Sequence, residues 1–154
     1  MNSRIGKEVR HLKIYTLVPI LIFMVLAFAG FQKSNIPPKN VTGTYEVTYK
    51  RGAGGLLKVL QKSADEIEFE IEFNRGAPSY NSGVAGGTIL VKNGVAVFKT
   101  TEYSEEGCEI TFTFQANKVI VRQSGADFAC GFGHGVICDG TYILKNRRKP
   151  KFGD

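Results

Sequence analysis

The chain has 154 residues, of which 43% are hydrophobic and 22% charged, and its formal net charge is +6. This length is that of one domain around one core, and the hydrophobic content is too high for a disordered chain. The excess positive charge lies in the first 29 and the last ten residues, whereas residues 30–144 carry 11 basic and 12 acidic side chains. A nearly neutral body cannot supply the phosphate contacts of nucleic-acid binding, so we expect no nucleic-acid partner.

Residues 1–29 have the pattern of a leader. Four basic residues precede the uncharged, mainly apolar stretch 14–28, and Ala27 and Ala29 place small residues where a signal peptidase cleaves. The pattern predicts an N-terminal hydrophobic helix that acts as a signal peptide and is cleaved after Ala29. Without cleavage, residues 14–31 would serve as a membrane anchor. Either case predicts an extracytoplasmic protein, periplasmic or secreted, because the basic residues stay in the cytoplasm.

Three segments are expected after the leader. Residues 30–40 contain the Pro37–Pro38 pair and polar side chains, a composition typical of an extended linker. Residues 41–146 are expected to form the folded domain. Residues 147–154 form a basic tail, which we interpret as a solvated end.

Alternation of apolar and polar residues predicts three strands at the start of the domain, over 44–50, 56–62 and 66–73. Glycines in 51–55 predict a turn between the first two. The third strand has the clearest pattern, because Glu occupies every second position and Ile or Phe occupies the others. A helix would scatter those apolar side chains around its circumference, whereas a strand directs them all to one face.

Two hairpins and a closing strand follow. Asn93–Gly94 tolerates the positive φ angles of a type I′ turn and predicts the first hairpin. Ala116–Asn117 forms the turn of the second. The predicted strands are 87–92, 95–101, 109–115, 118–123 and 141–145.

Eight strands with short connections and no intervening helix predict an all-β fold, an antiparallel up-and-down meander. Such a meander closes into a small barrel or bends into a sandwich, and both hide its edges. The interior is expected to be filled by side chains such as Phe69, Phe73, Phe112 and Phe114. Residues 74–86 are the longest predicted loop and would lie at one end as a lid or binding edge.

The three cysteines predict one disulfide, since thiols of exported proteins tend to pair. Across the second hairpin Cys108 falls near Gly125, which favours a Cys108–Cys130 bond over Cys130–Cys138. Closing this loop would stabilise the fold by about 3 kcal/mol. Cys138 is then a buried free thiol or a reactive one.

Several motifs in the second half of the chain occur together. Cys108-x-Ile-x-Phe-x-Phe114 precedes Val119-x-Val-x-Gln-x-Gly125, and Cys130-Gly-Phe-Gly133 precedes Asp139-Gly-x-Tyr142. Over residues 87–145 this pattern resembles a small all-β domain of secreted bacterial proteins, some of them associated with lysozyme-inhibitor-like proteins. The resemblance implies a barrel-like exported module with a structural disulfide between the positions of Cys108 and Cys130. It brings no catalytic residue, and Cys138 lies outside the pattern.

Catalytic and metal chemistry are poorly supported. Cys130, His134 and Cys138, with Cys108 or Asp139, are of types that zinc accepts, but they lack the close cysteine pair of common structural sites. Cys138 with His134 lacks a group to orient the imidazole and a donor for an oxyanion. We therefore predict a protein that is not an enzyme and has no metal or cofactor.

Glu66, Glu68, Glu70 and Glu72 form an acidic stripe on one face of the third strand. A row of carboxylates on one strand face implies no glycosidase mechanism by itself. We interpret the stripe as a solvated face, with a surface that attracts a cationic protein such as lysozyme as the alternative.

These observations predict an exported binding module that contacts an unknown protein or small molecule through one barrel end. That end would be built from residues 74–86 and 131–140, with Tyr80, Asn81, Phe132 and His134 as candidate contact residues. One alternative is an inhibitor of a secreted enzyme such as lysozyme. Another is a lipocalin-like carrier of a small apolar ligand, which requires an internal cavity. A membrane is a partner only if the leader stays uncleaved.

Overall fold

The computed structural model describes residues 38–153, which form a closed barrel of eight antiparallel strands in chain order. The predicted leader helix and its cleavage site lie outside these residues. Within residues 38–153, no helix is long and apolar enough to cross a bilayer. Short 3₁₀ turns occur at Lys50–Gly52 and Phe128–Cys130. The strands are β1 Gly43–Thr48, β2 Gly54–Gln61, β3 Glu66–Asn74, β4 Ser82–Lys92, β5 Val95–Thr100, β6 Cys108–Gln115, β7 Lys118–Ser124 and β8 Gly140–Asn146.

Each strand pairs with the next, and β8 pairs with β1, so the barrel alternative of the predicted meander is confirmed. The Asn93–Gly94 hairpin is also confirmed, with φ angles of 53° and 77° at its two turn residues. Both values lie in the left-handed region that a type I′ turn requires. The pair therefore sets the register of β4 against β5 at their shared end.

Aromatic side chains fill the barrel interior, as the alternation in β3 and β6 predicts. Phe69, Phe73, Phe112 and Phe114 are each at most 6% exposed. The rings of Phe69 and Phe112 meet at a centroid distance of 4.8 Å, within the range of favourable ring pairs. Burial of these rings, together with the aliphatic side chains around them, stabilises the barrel.

The predicted loop over 74–86 is wrong in its second half. β4 begins at Ser82, and Ser82 to Gly86 pair residue for residue with β3, so the loop spans only 75–81. The glycines of this segment mark close packing. A Cβ atom on Gly83 would lie 2.5 Å from the ring of Phe132, which occupies the space beside the strand. The longest connection is instead 125–139, between β7 and β8.

The C-terminal tail is tied to the barrel at several points and is not simply a solvated end. The Arg147 guanidinium donates to the carbonyl of Asn40 at 3.0 Å and to that of Ala116 at 2.6 Å. The Gly153 N–H donates to a carboxylate oxygen of Glu70 at 3.0 Å, across the outer face of β3. The tail therefore follows the barrel wall, although its basic side chains remain exposed.

Candidate functional site

The two ends of the barrel differ in the length of their connections. Alternate connections of a meander lie at the same end, so 49–53, 75–81, 101–107 and 125–139 share one end, which we call the long-loop end. The opposite end has only the short turns 62–65, 93–94 and 116–117. Binding residues of β-barrels commonly lie on such loops, since the strands hold them in place.

Each loop of the long-loop end presents one exposed aromatic side chain. These four are the exposed aromatic residues among residues 38–153, and each is between 46% and 65% exposed. Aromatic side chains supply large contact areas at little entropic cost and are enriched in protein interfaces. The residues are Tyr49, Tyr80, Tyr103 and Phe128.

The two loops predicted to form the site do contact each other. Asn81 Nδ2 donates to the carbonyl of His134 at 2.7 Å, and the Arg75 guanidinium donates to the same oxygen at 3.3 Å. The Gly133 N–H donates to the Ser82 carbonyl at 3.0 Å. The structure therefore brings 75–81 and 131–140 together into one surface.

The four predicted contact residues have different positions on this surface. The side chain of His134 is 92% exposed and Tyr80 is also exposed, so both can meet a partner. Asn81 joins the two loops. Phe132 is only 4% exposed and packs against Gly83, so it supports the loop from beneath.

Asp127 organises the longest loop, a role that sequence reasoning missed. Its carboxylate accepts hydrogen bonds from the N–H groups of Phe128 and Gly135 and lies 3.5 Å from His134 Nδ1. The two backbone N–H groups hold the pKa of Asp127 below its usual value. An Asp at the start of a short helical turn is a capping signal that the sequence does contain.

The Cys108–Cys130 disulfide links this loop to β6. It is the pairing that the sequence favours. The bond also removes two thiols from the zinc-ligand set considered above. In the part of the chain that the structure describes, no three His, Cys, Asp or Glu side chains lie close enough to hold a metal.

A shallow depression of about 850 Å³ lies at the long-loop end. Residues 99–102, 106–109, Ser124 and Gly125 line it. One of its lining residues is Cys108, which the disulfide links to Cys130. The depression gives this end a concave surface, and the four aromatic side chains give it apolar contact area.

The acidic stripe is partly neutralised by β2. Lys58 Nζ lies 2.7 Å from a Glu70 oxygen and 3.5 Å from a Glu72 oxygen, and Lys62 Nζ lies 3.1 Å from Glu68. Burial acts to raise the pKa of Glu70, but hydrogen bonds from Lys58 and from the Gly153 N–H hold it below its usual value. The stripe is therefore a weaker attractant for a cationic protein than its sequence suggests.

Cys138 is a free thiol that lies buried in the fold. It is fully buried, and this burial, with the nearby charge of Asp139, raises the pKa of the thiol to about 12. The thiolate is the reacting form of cysteine. We expect iodoacetamide at pH 8 to alkylate Cys138 about 100-fold more slowly in the folded protein than in urea.

Mass spectrometry of the timed alkylation checks this expectation. In urea without a reductant, one thiol per chain should react, because the disulfide protects the other two cysteines. Equal rates in the folded and unfolded protein would show that Cys138 is accessible.

Comparisons of the chain with protein-family models, with curated proteins and with solved structures find no match. The resemblance to secreted bacterial β domains stays a prediction from the sequence.

Proposed function

We propose that this protein is an exported, non-enzymatic module that binds a protein partner through its long-loop end. The observation that carries the proposal is the placement of one exposed aromatic side chain on each of the four loops of that end. Aromatic residues in such clusters supply most of the energy of many protein interfaces.

The construction of the loops supports the same function. The disulfide, the Asp127 cap and the hydrogen bonds to the His134 carbonyl hold the loops in place before any partner arrives. A preorganised surface loses less conformational entropy on binding, so more of the contact energy becomes affinity. The disulfide also favours an oxidising location outside the cytoplasm.

Charge divides the long-loop end into two sides. Lys50, Arg51 and Arg75 are exposed on the loops 49–53 and 75–81, whereas Glu102, Glu105 and Glu106 are exposed on 101–107. A partner with the opposite arrangement would be attracted in one orientation, since charge complementarity favours correct encounter. This division favours a protein surface over a small apolar ligand. The filled interior likewise gives no support to the lipocalin-like alternative.

An inhibitor of a secreted enzyme such as lysozyme remains the second candidate. Its support is the resemblance of the Cys130-Gly-Phe-Gly133 segment, together with the exposed His134 beside it. A lysozyme inhibition assay tests it directly. Full inhibition by a variant in which both the stripe and the 131–140 loop are altered would contradict this candidate.

Site-specific photo-crosslinking tests the proposed binding end. The full chain would carry p-benzoylphenylalanine at position 80 or 128, and a matched control would carry it at Val95 or Ile143 on the barrel wall, which are also exposed. We expect positions 80 and 128 to capture the same protein from the exported fraction of the native host. The wall positions should capture it poorly.

Affinity for the captured protein provides the quantitative test. We expect the double substitution Tyr80→Ala with Phe128→Ala to weaken binding by about 100-fold, at about tenfold for each interface aromatic. The control Val95→Ala with Ile143→Ala should bind normally. Unchanged affinity of the aromatic double variant would overturn the proposal.

A further inference from the structure

The barrel closes between β4 and β5 with few backbone pairs. These strands pair over only two positions beside their turn, Val91 with Ala96 and Lys92 with Val95, among the residues that the structure describes. β4 nevertheless continues along β3 as far as Ser82. The two strands therefore diverge from the turn. We call the opening between residues 84–90 of β4 and 97–99 of β5 the β4–β5 cleft.

Backbone groups of β4 point into this cleft. The Val91 N–H donates to the Asp65 carbonyl beside β3 at 2.8 Å, so the odd-numbered residues of β4 bond to β3. The even-numbered residues point the other way, as Ser82 shows by accepting a hydrogen bond from Gly133. Three of them lie beyond the two positions at which β4 pairs with β5: Val84, Gly86 and Thr88.

The facing rim of β5 has the same property. The Gly94 carbonyl accepts a hydrogen bond from Phe114 of β6 at 2.8 Å, and Ala96 and Phe98 continue that pairing. Val97 and Lys99 therefore direct their backbone groups toward β4. Beyond the two paired positions, backbone groups of β4 and β5 therefore face each other without ladder pairing, an arrangement that barrels normally avoid.

The floor of the cleft is apolar. Ile89 and Phe98 face the barrel interior but are only half-buried, and Gly87 of β4 is exposed. The ring of Phe98 packs on Phe69 at a centroid distance of 5.3 Å. The cleft therefore leaves part of the core without a cover.

We propose that the β4–β5 cleft binds an extended peptide segment of a partner protein, which adds as a ninth strand. Six strands of a second barrel have hydrogen-bonded neighbours on both sides, and its β4 and β5 remain bonded to β3 and β6, so no strand of a second copy can enter between β4 and β5 as a single strand. A single extended segment can bond to one or both rims while its alternate side chains cover Ile89 and Phe98.

The charge on β3 determines which side chains the peptide should carry at the positions that point away from the barrel core. Positions 82–91 of β4 are uncharged, and Gly86 has no side chain. The carboxylates of the acidic stripe lie one strand behind, where Lys58 and Lys62 pair with three of the four glutamates and the Gly153 N–H contacts Glu70, so the glutamates still outnumber the paired lysines. Lysine side chains on the outward positions of the peptide can extend over β4 toward them. The preferred segment therefore alternates apolar and basic residues.

Hydrogen–deuterium exchange of the full chain in mild detergent tests this site. The probe is the acetylated and amidated peptide Val-Lys-Val-Lys-Val-Lys. At saturation we expect the amides of Val84, Gly86 and Thr88 to exchange about tenfold more slowly. The Val-Glu analogue should bind about tenfold more weakly, and the probe N-methylated at every residue should give no protection, because it lacks donors along both edges.

Matched variants separate the loss of a backbone hydrogen bond to the peptide from a general loss of folding. Thr88→Pro removes one donor of the β4 rim, at an edge position that tolerates proline, and should weaken binding of the probe about tenfold. Thr88→Val keeps the donor and the shape and should bind normally. The N-methylated probe makes the same test on the unaltered protein.

Three results would overturn the proposal. The first is the absence of protection at these amides at any soluble concentration of the probe. The second is equal binding of the N-methylated and unmodified peptides. The third is protection of the same amides before any peptide is added, which would mean that a second copy or another segment of this chain already covers the rim. These results are independent of the aromatic substitutions at the long-loop end.

Discussion

Phe112→Ala is expected to lower the free energy of unfolding by about 3–5 kcal/mol, close to the whole stability of many domains of this size. Phe112 is fully buried on β6, and its ring packs against Phe69 at 4.8 Å from the opposite side of the barrel. Truncation removes apolar contact area and leaves a cavity that the closed strand network cannot easily collapse.

Urea unfolding monitored by circular dichroism measures this loss. Phe128→Ala is the matched control, because the same side chain is removed from an exposed position of the long-loop end. Its expected effect on the free energy of unfolding is within about 0.5 kcal/mol. Equal losses for the two variants would contradict the packed interior described above.

Loss of the disulfide is expected to have the second-largest effect. Cys108 and Cys130 are 22 positions apart, and closing a loop of this length stabilises a fold by about 3 kcal/mol. The double substitution Cys108→Ala with Cys130→Ala should therefore lower the free energy of unfolding by about that amount. It should also loosen the 125–139 loop, because its covalent link to β6 is gone.

Reduction supplies the control for this variant. Dithiothreitol should lower the stability of the unaltered protein to that of the double variant and leave the double variant unchanged. Urea unfolding with and without reductant makes the comparison. A double variant as stable as the unaltered, oxidised protein would show that the bond contributes nothing to folding.

The strands of this barrel are predictable because their signals are local. The alternation in β3 and the Asn93–Gly94 turn depend on neighbouring residues, and the structure reproduces both. Gly83 was misleading for the opposite reason. A glycine that follows Asn81 and Ser82 indicates a loop locally, whereas here Gly83 makes room for Phe132, which is distant in the sequence.

The candidate site is only partly predictable. The contact between 75–81 and 131–140 follows from the meander, since alternate loops share an end. The same rule would have placed Tyr49, Tyr103 and Phe128 beside Tyr80, but the sequence does not show which side chains stay exposed. The pairing of Lys58 with Glu70 depends on the register of β2 and β3, which composition alone does not give.

An even number of strands has a practical consequence for this molecule. β1 begins and β8 ends beside the short turns, where Thr44 pairs with Asn146. A support or reporter attached before β1 or after β8 would therefore leave the four exposed aromatic side chains of the long-loop end free to contact a partner. Display of the domain through either terminus should preserve access to the long-loop end, which a barrel with an odd number of strands could not offer.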